Sequence, residues 1–132
     1  VTPTLKQFFY HSRLAPGQRH SAVSDIISTA RRFNAGHGIT GLLVFDGERF
    51  CQFIEGPPTE MDALVERLKT DPRHVDFTVL ISDAWAHERL HPYWSMAYAA
   101  LEGPAYLTDL LSRPGEEALR QLQASIDRLD VN

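Results

Sequence analysis

Residues 31–57 read RRFNAGHGITGLLVFDGERFCQFIEGP, and the architecture of the chain can be worked outward from this stretch. Its first part closes a helix: Gly36 and Gly38 follow Asn34, and glycine readily takes the left-handed angles of a helix C-cap. Residues 39–45 form a short apolar run, which predicts a strand. Asp46-Gly47 is a hairpin signal, because both residue types tolerate positive φ. Residues 49–55 then return as the partner strand, and Gly56-Pro57-Pro58 breaks it.

On the N-terminal side, residues 5–11 (LKQFFYH) are short and aromatic-rich, which predicts a strand. Val23, Ile26, Ile27, Ala30 and Phe33 recur at helical spacing, predicting a helix over 21–34 with one buried face. On the C-terminal side, Thr59 and Asp62 suggest a capping box. Met61, Leu64, Val65 and Leu68 make a second amphipathic helix, which Asp71-Pro72 stops. Residues 76–82 and 94–100 read as fourth and fifth strands. The order β-α-β-β-α-β-β predicts an α+β fold whose first six elements are ferredoxin-like. Right-handed crossovers place both helices on one face, with strands one and three as central neighbours. The local pattern does not specify where the fifth strand joins.

The last thirty or so residues differ in character. Residues 107–111 suggest a short helix, Pro114-Gly115 a break, and 116–129 a longer helix. Its stripe of Leu119, Leu122, Ile126 and Leu129 is suited to capping the bare sheet face or to contacting a partner. The expected organisation is a main domain over 1–101 and a helical segment over 102–132.

At 132 residues with 43% hydrophobic content, the chain suits one domain with one core. A formal net charge of -4 gives no basic face, so nucleic acid is not an expected partner. No apolar run approaches the roughly 18 residues that span a bilayer. No secretory signal is visible, and Cys51 is the single cysteine, so no internal disulfide forms. The expected setting is the cytoplasm.

Several polar residues ask for an explanation. Alternation puts Phe50, Gln52 and Ile54 on one face of the third strand, and Phe8 and Tyr10 on one face of the first. If those faces meet the helices, Tyr10 and Gln52 lie on neighbouring strands beneath them. They then either close a structural hydrogen-bond network or touch a polar ligand between the helices. Asn34 is suited to a helix cap. Arg67, Asp71, Arg73 and His74 suit a solvated helix end, with basic groups near the negative pole of the dipole. His87-Glu88-Arg89-Leu90-His91 matches the HExxH zinc pattern, but that chemistry needs both histidines on one helix face. Here the stretch lies between strands, and Pro92 disfavours helix at His91. Zinc hydrolysis is therefore not expected, and no Walker A loop, GxGxxG turn or GxSxG elbow is present.

Taken together, FFYHS (8–12), RRFNAGHGITGLLVFDGERFCQFIEGP (31–57), LKTDPRH (68–74) and YWSMAY (93–98) closely resemble the BLUF family of flavin-dependent blue-light sensors. The resemblance runs from about residue 5 to 100. It implies a non-covalent flavin between the two helices, usually FAD, with FMN or riboflavin as alternatives. It further implies that Tyr10 and Gln52 are the photoactive pair, and that Asn34 bonds the polar edge of the ring. Ile26 and Leu68 would pack on the two ring faces. Arg67 would contact a ring carbonyl, with Asp71, Arg73 and His74 near the ring or its side chain. Trp94 and Met96 match a semi-conserved pair on the fifth strand, and Ser12 follows the tyrosine at the family spacing. Phe33 is a departure, standing where many relatives carry a polar group.

The same resemblance implies a switch and not an enzyme. Tyr10 would give an electron and a proton through Gln52, which rotates or tautomerises and shifts the flavin absorption to the red. Output would pass through the C-terminal helices to a separate signalling protein, with a homodimer or larger oligomer as the expected state. Two alternatives come from other classes: a non-photoactive regulatory ligand-binding module of the same fold, and a small flavoenzyme.

Overall fold

The computed structural model describes residues 4–132. Along the chain run β1 (Leu5–Leu14), α1 (Ser21–His37), β2 (Thr40–Phe45), β3 (Arg49–Gly56) and α2 (Pro58–Thr70). They are followed by β4 (His74–Ala86), β5 (Ala97–Ala100), α3 (Ala105–Leu110) and α4 (Gly115–Ser125), with a 3₁₀ turn over Ile126–Arg128. The strands form one sheet in the order β4-β1-β3-β2-β5. The first four have the ferredoxin-like order expected from the sequence, with β1 and β3 side by side. Strand β5 joins the far edge, parallel to β2. A single bridge from Val131 to Ala99 covers part of its outer side.

Strand alternation produces two cores. One face carries Phe8, Tyr10, Leu43, Phe50 and Ile54 beneath α1 and α2, which contribute Val23, Ile27 and Met61. The other carries Phe9, Leu42, Val44, Cys51 and Phe53 beneath α3 and α4, which contribute Leu107, Leu110, Ala118 and Leu122. The C-terminal stripe thus packs on the second sheet face, with Leu119, Ile126 and Leu129 against the same cluster. Gly41 permits the tightest strand contact: a Cβ there would lie 2.2 Å from the Phe53 carbonyl oxygen. Any larger residue would push β2 off β3.

Several boundaries differ from the sequence pattern for identifiable reasons. Helix α1 runs past Gly36 and ends on Gly38, which takes φ 68°. The hairpin turn uses positive φ at Gly47 alone; Asp46 instead accepts the Glu48 and Arg49 N–H groups through Oδ1. No capping box forms at α2, because the helix enters through Pro57 and Pro58. Proline at the first position needs no N–H partner, and Asp62 pairs with Lys6 instead. Strand β4 is longer than its apolar run because β1 pairs with it from His74 to Ala86. Strand β5 begins at Ala97, so Trp94 and Met96 precede it. The carbonyls of Ser95 and Met96 are taken by the side chains of Asn34 and Arg31, so only an isolated backbone bond, from Gly41 N–H to the Trp94 carbonyl, continues toward β2 before Ala97. Helix α3 starts at Ala105, before the expected 107, and α4 gives way to the 3₁₀ turn after Ser125.

Candidate functional site

The two helices do not close over the sheet completely. They leave a cleft whose empty space, open mouth included, is about 750 Å³. Tyr10, Leu43, Phe50 and Gln52 form its floor, Ile26 and Asn34 one wall, and Leu64, Arg67 and Leu68 the other. Asp71, Arg73 and His74 line the end where α2 leads into β4. Every residue expected from the sequence to hold a cofactor borders this one cleft.

The floor is a short polar line in an apolar setting. Tyr10 and Gln52 face each other directly in the β1–β3 register. The Tyr10 hydroxyl donates to Gln52 Oε1 at 2.5 Å, and both residues are buried. Gln52 Nε2 points to the Met96 sulfur at 3.5 Å. A thioether is a weak acceptor, so this last contact is the easiest to give up. Burial, then the nearby Cys51 and Asp71 groups, push the Tyr10 hydroxyl far above its ordinary pKa. The phenol is therefore a proton holder at any neutral pH. Its ring is fixed by stacking on Phe77 at 4.5 Å.

Asn34 adds the most telling feature. Its Nδ2 donates to the Ser95 carbonyl at 2.7 Å, but its buried Oδ1 has no partner among the described residues. A buried acceptor left unmatched costs about 1–3 kcal/mol. The helix continues three residues past Asn34, so its side chain is not a cap. An N–H donor on a ligand in the cleft would satisfy that oxygen. Flat apolar walls from Ile26 and Leu68 with an acceptor at the edge fit a planar heterocycle bearing an N–H, and a flavin ring is such a group.

The remaining polar residues split into two groups. Asp71 holds Arg73 in a two-pronged ion pair, with its carboxylate also accepting the Arg73 N–H. Partial burial pushes the Asp71 carboxyl up, but the Arg73 hydrogen bonds and charge, with His74, bring it below its usual range. His74 Nε2 donates to the Leu68 carbonyl at 2.6 Å, leaving Nδ1 to accept from the Ser12 hydroxyl at 2.7 Å. This ties the end of α2 to β1. Arg67 lies 4.4 Å over the Phe33 ring, whose other face stacks on His37. Phe33 thus narrows the mouth and holds Arg67 there.

Met96 is buried on the cleft side. Trp94 belongs to the opposite core, where it stacks on His91 at 4.8 Å. The HExxH stretch is not helical, and no cluster of three or more metal-ligating side chains occurs among the described residues. Thr29 also lines the cleft beside Ala30; it stands outside the apolar stripe, and a small polar residue on a helix carries no chemical signal in the sequence.

The family model for "BLUF: Sensors of blue-light using FAD" matches residues 5–97. The chain belongs to this family. Its cofactor is FAD, and the cleft has the chemistry to receive it. The chain is 33% identical over 129 residues to photoactivated adenylate cyclase subunit beta of Euglena gracilis, matching 97% of this chain and 14% of that protein. It is 29% identical over 79 residues to the blue light- and temperature-regulated antirepressor BluF of Escherichia coli (strain K12), matching 60% of this chain and 20% of that protein. The chain therefore spans a fifth or less of these curated relatives. Among solved structures it is similar to BlrB, a BLUF protein in its dark state, with a TM-score of 0.76 and 28% identity, covering 96% of this chain and 97% of that one. BLUF domains are sensors. No helix among the described residues is long and apolar enough to cross a membrane.

Below neutral pH, protonation lowers the stability of this BLUF domain. Burial, then Arg49 and Arg13, hold His11 below its ordinary pKa; burial does the same to His91 against the pull of Glu55. The unfolded chain thus binds more protons just below the ordinary histidine value, and again just below the ordinary Asp71 value. Stability rises with pH through both windows. The urea midpoint is expected to be lower at about pH 5 than at about pH 7.5, and the gap to narrow in His11→Gln. An equal gap in both proteins would show that His11 does not contribute.

Proposed function

We propose that this domain is a light-driven hydrogen-bond switch in which Tyr10 supplies an electron and proton and Gln52 is the part that reorients. The observation that carries this reading is the buried Tyr10–Gln52–Met96 line on the cleft floor, beside the unmatched Asn34 oxygen. FAD, when bound, supplies blue-light absorption and an excited state that accepts an electron. Asn34 would hold the polar edge of the ring, and Ile26 and Leu68 would pack on its faces. Arg67, which lies over Phe33 in a contact worth about 0.5–1 kcal/mol at an exposed site, would be within the cleft to bind a ring carbonyl. Asp71 and Arg73 sit as a fixed ion pair near the ring or its side chain, and His74 holds the end of α2.

The chemistry follows from the floor. Electron loss from a phenol makes its O–H strongly acidic, so the proton would leave Tyr10 along the bond to Gln52 Oε1, and electron and proton would both return to Tyr10 on recombination, leaving the net change on Gln52 alone. The Gln52 amide would thereby exchange its donor and acceptor roles toward its neighbours, by rotation or tautomerisation. Its two ends have nearly the same shape but opposite hydrogen-bonding roles, so the change costs no repacking. Water is largely excluded, so each exchanged bond counts for more. No substrate is consumed, and the domain does not act as an enzyme. Met96 is the group that feels the change directly; Trp94, on the other core, feels it through the backbone between them.

Residues 1–101 form the sensor in this reading, and 102–132 the output segment, which hands the signal to a separate protein. A homodimer or larger assembly in the cytoplasm is the proposed working form. The test is an absorption spectrum of the purified protein before and after blue light. The expected result is a yellow protein with a small, reversible red shift. A protein that cannot be loaded with flavin, or whose bound flavin shows no shift, would overturn the reading.

A further inference from the structure

Glu55 is fully buried on the central strand β3, on the face opposite the cleft. A core position there needs only an apolar side chain, and a buried carboxylate is costly unless hydrogen bonds satisfy it. Here they do: Oε1 accepts the Leu90 N–H at 3.0 Å and Oε2 the His91 N–H at 2.9 Å. The neighbouring Arg89 reaches the same corner. It donates to Thr40 Oγ1, to the Glu55 carbonyl and to the Gly38 carbonyl, at 2.9, 3.2 and 2.6 Å. The stretch that imitates a zinc motif is therefore fastened to the cap of α1, the start of β2 and the end of β3.

What this fastening holds in place is the next turn of chain. Ser95 presents its carbonyl to Asn34, and Met96 its sulfur to Gln52. On the other side, burial keeps the His91 imidazole toward its neutral form, and its Nε2 accepts from the Gln123 amide of α4 at 3.0 Å. One loop thus meets both cleft residues and the C-terminal helix.

We propose that Glu55 and Arg89 are positioning residues for the switch: they hold the loop so that Ser95 and Met96 meet Asn34 and Gln52, while His91 couples the loop to Gln123. This rests on the reading of the Tyr10–Gln52 cleft given above. It differs from a general stabilising role in that its effect is confined to one side of the cleft.

The chain has two methionines, Met61 on α2 and Met96 on the loop, which makes the test direct. The protein as purified is labelled with ¹³C-methyl methionine and observed in the dark. In Arg89→Ala and Glu55→Gln the Met96 resonance is expected to move or split, with Met61 unchanged, and Arg89→Lys to restore part of the parent position. In flavin-loaded Arg89→Ala the rate of return to the dark spectrum is expected to change by roughly threefold or more, as loss of one or two hydrogen bonds implies. A Met96 signal at its parent position in Arg89→Ala would overturn the proposal, as would equal movement of both methyls. If Glu55→Gln does not fold, the two Arg89 variants decide. The methyl comparison needs no light response: a parent protein without a photocycle would sink the switch reading, whereas a normal photocycle with an unmoved Met96 would sink only the anchor.

Discussion

Gln52→Leu is expected to bind flavin and to show no reversible red shift at all. Leucine fills nearly the same volume on β3, so the floor of the cleft stays packed. The binding contacts proposed for Asn34, Ile26, Arg67 and Leu68 are untouched, so the protein should remain yellow. What disappears is the floor's one amide, whose two ends take opposite hydrogen-bonding roles. Tyr10 loses its acceptor in a buried site, at a cost of about 1–3 kcal/mol, visible as a lower urea midpoint in the dark. Met96→Leu is the control. It removes a weak sulfur acceptor but leaves the tyrosine and the amide, so the red shift should persist with altered kinetics. A normal red shift in Gln52→Leu would refute the switch, because no remaining side chain on the floor can change ends.

The pairing of Tyr10 with Gln52 was legible because it depends on two short-range rules. Alternation sets the face of each side chain, and the ferredoxin-like order makes β1 and β3 neighbours; the register then puts the two residues opposite each other. The walls were legible for a similar reason, since helical spacing places Ile26, Ala30 and Phe33 on one stripe. The loop from 87 to 96 was not. Its shape depends on Glu55, more than thirty residues earlier in the chain, whose carboxylate replaces a strand ladder as partner for two N–H groups. Local pattern therefore extended β5 back to Trp94, although side chains take the carbonyls of Ser95 and Met96. The same limit hid the opposite orientations of Trp94 and Met96, because strand alternation assigns both to one face and the chain there is not a strand. Thr59 and Asp62 failed as a capping box because two prolines entering α2 left less for a side chain to satisfy.

Tyr10→Phe is expected to abolish the light response while leaving fold and flavin nearly intact. The ring stack on Phe77 and the contacts with Phe8 and His74 survive the substitution. Gln52 Oε1 loses one donor, worth about 1 kcal/mol net, which is partly offset because no phenol needs to be desolvated. The chemical loss is much larger. A phenylalanine ring is far harder to oxidise than a phenol and has no O–H proton to pass to Gln52, so neither half of the transfer occurs. The position of the proton in the parent also makes a second outcome follow. Burial holds the Tyr10 hydroxyl well above its ordinary value, so the phenol stays protonated, and the amplitude of the parent's red shift should be flat from about pH 6 to about pH 9. A tyrosine that ionised near its ordinary value would instead begin to lose amplitude at the alkaline end. An unaltered photocycle in Tyr10→Phe would remove Tyr10 as the donor. A full loss of the shift, together with a dark flavin spectrum close to that of the parent, would separate the donor role from any failure to bind, because only the proton and electron source has been taken away.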